Sequence, residues 1–262
     1  MLFRSAVWAL RVQAQVVLAL VMREVVTRYG RHNIGFLWLF LEPAMFTIGV
    51  LAVYVFSGNH QPRNLPLIPF TLVGYSSVLL WRNTINRCAE AIEPNRALLH
   101  HRRVRVIDIF LARIVLECAG VTIAFLTLLT VAISLNGASR PRDALDMLLG
   151  WISLAWWSGS MGILIGALVG LSETVHRVWH VLSYLMLPLS GAFFAVDWLP
   201  RAAQKTALWI PSVSCVELLR EGLFGVQVHP HYSIGYVVLV NLILMLLGLS
   251  ALRLVEHRIE GE

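Results

Sequence analysis

Charged residues are scarce in this chain. Asp, Glu, Lys and Arg make up 14% of its 262 residues, while hydrophobic residues make up 58%. A soluble domain carries about 25% charged residues, so this composition excludes an ordinary soluble protein. Because a transmembrane helix needs roughly 20 apolar residues, the length accommodates several membrane spans joined by short loops. It leaves no room for a separate soluble domain.

Lysine is almost absent, since Lys205 is the only one in the chain. A phosphate-binding loop of the Walker type places a lysine directly after a glycine-rich GxxxxG segment, and Lys205 follows no such segment. The sequence therefore predicts no nucleotide-binding site. If the protein takes part in ATP-driven transport, another polypeptide must bind the ATP, and we expect no cofactor in this chain.

Motifs for metal binding and nucleophilic catalysis are also missing. Cys88, Cys118 and Cys215 are widely spaced and form no CxxC pair, which argues against a disulfide framework or a zinc site. His176 and His180 are four residues apart, but no HExxH motif accompanies them. No GxSxG elbow indicates a hydrolase. We expect neither a metal nor a catalytic site.

The first helix is predicted over residues 2–26. Its polar residues Arg4, Arg11 and Gln15 fall on one face, and its unbroken apolar part, residues 16–22, is too short to cross a membrane. These features favour an amphipathic helix lying in the membrane interface. The alternative is a poorly formed first span.

Hydropathy then predicts an all-α polytopic fold with six transmembrane helices between residues 34 and 254. The spans are predicted at 34–56, 67–86, 107–135, 145–171, 178–196 and 232–254. Of the Lys and Arg residues near the ends of these spans, 14 lie on the side that holds both termini and six on the other. Since positive residues favour the cytoplasmic side, both termini are predicted to be cytoplasmic.

The outer segment 197–231 is too long for a simple turn. It is rich in apolar residues and is interrupted by Pro200, Pro211 and Pro230. A surface loop would expose its large apolar side chains. Two short helices, near 200–209 and 213–223, are therefore predicted to form a re-entrant pair in the outer leaflet.

Two charged features lie inside predicted spans. Glu42 shares a helical face with Trp38 and Phe46, so it either lines a polar pathway or makes a packing hydrogen bond. Arg113 and Glu117 are four residues apart in the third span, which favours an intrahelical pair that acts as a structural clamp.

A short helix is predicted from Pro94 to about Arg102 in the loop after the second span. Leu98 and Leu99 form its apolar edge, and basic residues surround them. Such a helix suits docking on a soluble partner. The alternative is that its cations only set the topology and contact lipid phosphates, and the spacing does not separate the two.

Three segments carry a family resemblance: RYGRHNIGFLWLFLEP, then AIEPNRALLHHRRVRVIDIFLAR, and late in the chain a WxPxxxxxELLREG stretch from Trp209 to Gly222. In this order, and over nearly the whole chain, they resemble the membrane subunit of ABC exporters for capsular polysaccharide. The resemblance implies two permease copies in the bacterial inner membrane with two P-loop ATPase subunits, which bind ATP and Mg. It also implies a lipid-linked polysaccharide as cargo, a periplasmic co-export protein and no nucleic acid.

The resemblance also implies roles for particular residues. Residues 1–33 would hold the interfacial helix and a cytoplasmic gate, and residues 90–104 the coupling helix that docks on the ATPase. The implied coupling residues are Glu93, Asn95, Arg96, Leu98, Leu99, His100 and Arg103. The predicted substrate path contains Arg28, Tyr29, Arg31, Trp38, Glu42, Phe46, Tyr75 and Trp81. Aromatic faces suit sugar rings, and an acid accepts hydrogen bonds from hydroxyl groups.

Other functions stay open at this point. An O-antigen or teichoic-acid exporter would share the same architecture. An intramembrane lipid-modifying enzyme would need a cluster of acids, histidines or a nucleophile at one depth, where this sequence offers only Glu42. A membrane scaffold would need no amphipathic cytoplasmic helix.

Overall fold

The computed structural model describes residues 2–29, 34–56, 65–99, 104–225 and 230–260, and all regular elements in these ranges are helical. The predicted all-α membrane fold is confirmed. The helices are α1 (Leu2–Tyr29), α2 (Ile34–Phe56), α3 (Leu67–Ala89), α4 (Arg96–Leu99), α5 (Val106–Ser134), α6 (Ala144–Leu171), α7 (Glu173–Leu189), α8 (Arg201–Ala207), α9 (Pro211–Phe224) and α10 (Ile234–Glu260). Short 3₁₀ turns occupy Glu93–Asn95 and Val196–Trp198.

Within the residues that the structure describes, three helices, α5, α6 and α10, are long and apolar enough to cross a membrane. The fifth predicted span differs from its prediction at both ends, because α7 begins at Glu173 and ends at Leu189. Its 17 residues rise about 25 Å, less than the roughly 30 Å of a bilayer core. The chain then bends at Gly191, whose φ of +80° suits glycine. The count of six spans stays a prediction.

The helix α6 is the centre of the bundle and packs against α3, α9 and α10. Glycines allow its backbone and that of α9 to approach closely. A Cβ atom added at Gly150 would lie 2.6 Å from the Leu219 nitrogen, and one at Gly222 would lie 2.2 Å from the Met147 nitrogen. Both separations are far below the 3.5–4.0 Å of ordinary contact. Only glycine therefore permits this packing.

The outer segment contains two short helices close to their predicted positions, α8 and α9. Pro211 starts α9, a position where its missing N–H costs nothing. The residues of α9 from Ser212 to Arg220 are all buried, whereas α8 has no buried residue. Burial of α9 against α6 explains why this segment is apolar. Its depth in a leaflet stays a prediction.

The first helix packs along α5. The Gln13 side-chain amide donates a hydrogen bond of 3.0 Å to Asp108, and the Glu24 carboxylate lies 3.6 Å from the Arg113 guanidinium. Trp8 is exposed on the same helix. Polar contacts therefore hold α1 on the bundle, and its placement in the membrane interface stays a prediction.

The glycine contact between α6 and α9 predicts the effect of a methyl group. We expect Gly150→Ala to lower the free energy of unfolding by about 1–3 kcal/mol, because two backbones must separate. Gly49→Ala is the control, since a Cβ there meets nothing within 4 Å. Thermal unfolding in detergent measures both. Equal melting temperatures for the two variants would contradict the close contact.

Candidate functional site

Three of the predicted path residues meet where α2 packs on α3. The Tyr75 hydroxyl donates a hydrogen bond of 3.3 Å to Glu42 Oε1. The Phe46 and Tyr75 rings stack with centroids 3.9 Å apart and planes at 7°. Phe193, from the segment after α7, tilts against Phe46 at 6.1 Å. An acid thus stands beside a flat aromatic surface, and we call these four side chains the aromatic platform.

The hydrogen bond from Tyr75 bears on both interpretations of Glu42. It supplies the packing partner that a carboxylate within an apolar helix needs. The side chains of Glu42 and Tyr75 are only partly buried, so the pair also has an accessible side. The geometry therefore accommodates a pathway wall as well as a helix-packing role.

The other predicted path residues are dispersed. Trp38 is 54% exposed on α2. Trp81 is 1% exposed and packs edge-on against Trp157 at 6.1 Å, so it lines no open surface in this conformation. The remaining ones lie outside what the structure describes: Arg31, and the side chains of Arg28 and Tyr29.

The predicted coupling helix is a 3₁₀ turn followed by α4. Glu93 and Arg96 are exposed and form a salt bridge of 3.3 Å. Leu98 is partly buried, and Leu99 packs against the chain's own apolar core. The exposed residues of this turn thus include the charged pair, while Leu98 and Leu99 each keep part of their surface accessible, and their role in docking stays a prediction. His100 and Arg103 lie outside the described residues.

Asn95 connects this turn to the first helix. Its side chain is buried, and its amide donates a hydrogen bond of 2.9 Å to the Ala91 carbonyl. Arg23 of α1 donates to Asn95 Oδ1 at 3.0 Å. In this conformation Asn95 thus holds the turn and does not face a partner. Arg23 and Asn95 are 72 residues apart in the sequence, where no periodicity predicts their pairing.

A layer of charged residues joins α1, α3 and α5 near the same end of the bundle. Arg87 Nε lies 3.4 Å from Glu117 Oε1, and Arg113 Nη2 lies 3.6 Å from Glu24 Oε1. Arg113 also donates to the Arg87 carbonyl. The sequence predicted that Arg113 pairs with Glu117 on its own helix. These salt bridges connect different helices, so the layer ties the bundle together.

Arg220 is a central residue for which the sequence predicted no individual role. Its side chain is fully buried in α9, and its guanidinium carbon lies 4.2 Å from the centroid of the Phe70 ring. It donates hydrogen bonds of 2.6–2.8 Å to three backbone oxygens after α7, those of Gly191, Ala192 and Phe194. Carbonyl groups beyond a helix end have no helical N–H donor, so Arg220 supplies the hydrogen bonds that these three carbonyl groups need.

Glu217 completes the buried cluster. One of its oxygens lies 3.6 Å from Arg220 Nη1 and accepts a hydrogen bond of 3.2 Å from the Val196 nitrogen. The other accepts from the His231 nitrogen at 3.4 Å. The pair therefore fixes the segments on both sides of α8 and α9. An acid and a base lie three residues apart in an apolar stretch, and this spacing was the sequence signal that could have predicted the pair.

Comparisons with known proteins place this architecture in a family. The sequence profile described as ABC-2 type transporter matches residues 15–224. The chain is 39% identical over 254 residues to the capsule polysaccharide export inner-membrane protein BexB of Haemophilus influenzae, which covers 97% of this chain and 96% of that protein. It is 40% identical to CtrC of Neisseria meningitidis serogroup B, a protein with the same description, over 95% of this chain and 94% of CtrC. It is 29% identical to the polysialic acid transport protein KpsM of Escherichia coli, over 94% of this chain and 95% of KpsM.

The buried pair predicts a large loss of stability on neutralisation. We expect Arg220→Gln or Glu217→Gln to lower the free energy of unfolding by about 3–5 kcal/mol, because each leaves a buried charge or carbonyl group without its partner. Arg177→Gln is the control, since it removes an exposed pair with Glu173 and should change little. Thermal unfolding in detergent reports all three. A melting temperature for Arg220→Gln equal to that of Arg177→Gln would disprove the role of the cluster.

Proposed function

The chain belongs to the ABC-2 type transporter family, and from that premise we propose that it is the membrane subunit of an ATP-driven exporter of lipid-linked capsular polysaccharide. The observation that carries the proposal is the likeness to two capsule polysaccharide export inner-membrane proteins over 94–97% of both chains. The apolar helices support a location in the bacterial inner membrane.

We extend the proposal to the partners of the chain. A separate P-loop ATPase subunit would bind ATP and Mg, because this chain has no lysine in a glycine-rich phosphate loop. Two permease copies and two ATPase copies would form the exporter, and a periplasmic co-export protein would receive the polymer. The excess of positive residues around the termini supports their cytoplasmic location.

The proposed docking site for the ATPase is the surface of the turn at Glu93–Asn95. A cleft of about 700 Å³ lies between this turn, the junction of α6 with α7, and Arg258 near the end of α10. Such a recess suits a protruding element of a soluble partner. Movement of the turn would reach α1 through Arg23 and Asn95, and the charged layer would carry it to α3 and α5. His100 and Arg103 would extend the same surface.

The aromatic platform is the proposed wall of the substrate path. Phe46 and Tyr75 offer a flat apolar face, and Glu42 can accept hydrogen bonds from sugar hydroxyls. Each sugar would bind weakly, which lets a long polymer advance. Trp38 would extend the wall, and the basic end of α1, with Arg28, Tyr29 and Arg31, would hold the entry. Trp81 is buried in this conformation and is not part of the wall we propose.

The first test is purification of the tagged chain from its native membrane. We expect a P-loop ATPase to co-elute at one-to-one stoichiometry. Glu93→Arg should reduce the co-eluting ATPase about tenfold, because a reversed charge in the interface loses 1.4 kcal/mol or more. Asp197→Arg reverses an exposed acid on the predicted outer side and serves as the control. Elution of the wild-type chain alone would refute the exporter proposal. An unchanged amount of ATPase co-eluting with Glu93→Arg would show that the docking site lies elsewhere.

The platform predicts a defect in transport without a defect in assembly. We expect Phe46→Ala to lower the amount of surface polymer about two- to tenfold, since a lost aromatic contact is worth about 0.5–1.5 kcal/mol. Phe56→Ala is the matched control on the same helix, because Phe56 is 90% exposed. Surface polymer is quantified in cells, and ATPase co-elution reports assembly. Normal polymer with Phe46→Ala would exclude the platform from the path.

A further inference from the structure

A second, smaller cavity lies between α3 and α7. Its volume is about 160 Å³. The side chains around it are mostly polar or aromatic: Arg82, Asn86, Ala89, Glu90, His176, Trp179, His180, Ser183 and Tyr184. Neither the aromatic platform nor the docking surface uses Arg82, Asn86 or His180. The two proposed sites therefore leave the function of this cavity unexplained.

Arg82 is the cationic centre of this cavity. Its guanidinium carbon lies 4.5 Å from the centroid of the Tyr184 ring, which holds the group in place by a cation–π contact. Within the part of the chain that the structure describes, its buried Nε atom has no hydrogen-bond partner. One of the five N–H donors of this guanidinium group is therefore buried without an acceptor. This unmet demand points to a ligand that accepts hydrogen bonds.

The neighbours of Arg82 add further donors. Trp179 donates a hydrogen bond of 2.9 Å to Asn86 Oδ1, which leaves the NH₂ group of Asn86 as its donor side. The His180 ring contacts the edge of Tyr184 at 5.3 Å. Glu90 is the one acid around the cavity, and its side chain is exposed at the rim. The donors and the positive charge outweigh the single carboxylate.

We infer that this cavity binds a phosphate group carried by a lipid. Arg presents a fork of donors that matches phosphate oxygens, and the volume admits a headgroup phosphate but not a sugar chain. Arg82 lies seven residues before Ala89, the end of α3, which is about 10 Å along the helix. This inference rests on the proposed function for its orientation, which places that depth beneath the cytoplasmic headgroups. The phosphate could belong to the lipid anchor of the cargo or to a membrane phospholipid.

The phosphate cavity and the docking cleft share a wall. Ala89, Glu90 and His176 line both, and the turn at Glu93–Asn95 begins three residues after Glu90. A phosphate held by Arg82 would therefore sit two helical turns from the surface that meets the ATPase. Occupation of the cavity is thereby linked to the position of the docking turn.

Native mass spectrometry of the purified permease–ATPase complex tests the site. The probe is lyso-phosphatidylglycerol, with lyso-phosphatidylcholine as the zwitterionic comparison. We expect Arg82→Gln to weaken binding of the anionic lipid about tenfold, Arg82→Lys to restore part of it, and Arg177→Gln to have no effect. His180→Gln should weaken binding to a smaller degree. Equal affinity of wild type and Arg82→Gln would overturn the inference.

The mass of the lipid that stays bound to the purified complex identifies the source of the phosphate. Complexes are purified from cells that make the polymer and from cells that do not. A lipid-linked glycan retained by wild type but lost in Arg82→Gln assigns the site to the cargo, whereas a phospholipid retained from both cell types assigns it to the bilayer. Retained masses that are identical in wild type and Arg82→Gln contradict the site. Failure of the exporter proposal would appear separately, as absence of the ATPase from the wild-type preparation.

Discussion

Backbone carbonyls that leave a helix inside an apolar interior must find donors, and in this chain Arg220 supplies them. Its three hydrogen bonds hold the segment after α7, and Glu217 binds the backbone nitrogen of Val196 in the same region. This interaction explains how α7 can end at Leu189 and how α9 can be buried. Arg220 and Glu217 are almost fully buried, so these backbone groups find their partners within the protein and the cluster is a condition for the fold.

The same cluster positions residues of the proposed path. Phe193 lies between two residues whose carbonyls Arg220 binds, Ala192 and Phe194, and it packs on Phe46 of the aromatic platform. At the other end of the bundle, salt bridges tie α1, α3 and α5, and Asn95 holds the docking turn. Polar interactions thus organise both ends, while close apolar packing fills the middle.

Helix α3 connects these two ends. Near its start, Gly74 lies so close to Ala192 that an added Cβ would be 2.1 Å from that residue's carbonyl oxygen. Near its end, Arg82 and Asn86 line the proposed phosphate cavity, and Ala89 precedes the proposed docking turn. Since packed helices move largely as rigid bodies, a shift of α3 would affect the platform, the cavity and the turn together. This geometry suits a subunit that converts an event on its cytoplasmic face into movement of a polymer.

The sequence alone determined what depends on local composition. Hydropathy identified α5, α6 and α10 as membrane helices, and the prolines with their apolar neighbours located α8 and α9 to within a few residues. The three motifs, in their order along the chain, were sufficient to identify the family, which the comparisons confirmed. Helical spacing put Glu42 and Phe46 on one face, and in the structure Tyr75 contacts both.

Only the tertiary structure decided which residues pair across helices. Asn95 meets Arg23, 72 positions away, and Arg220 meets Gly191, 29 positions away, at distances along the chain where no periodicity applies. Trp81 is buried and Leu99 partly covered by the surfaces of other helices, which their own segments do not reveal. The end of α7 likewise depends on a guanidinium group supplied from α9. Helix formation is governed by neighbours in sequence, whereas burial and polar pairing are governed by neighbours in space.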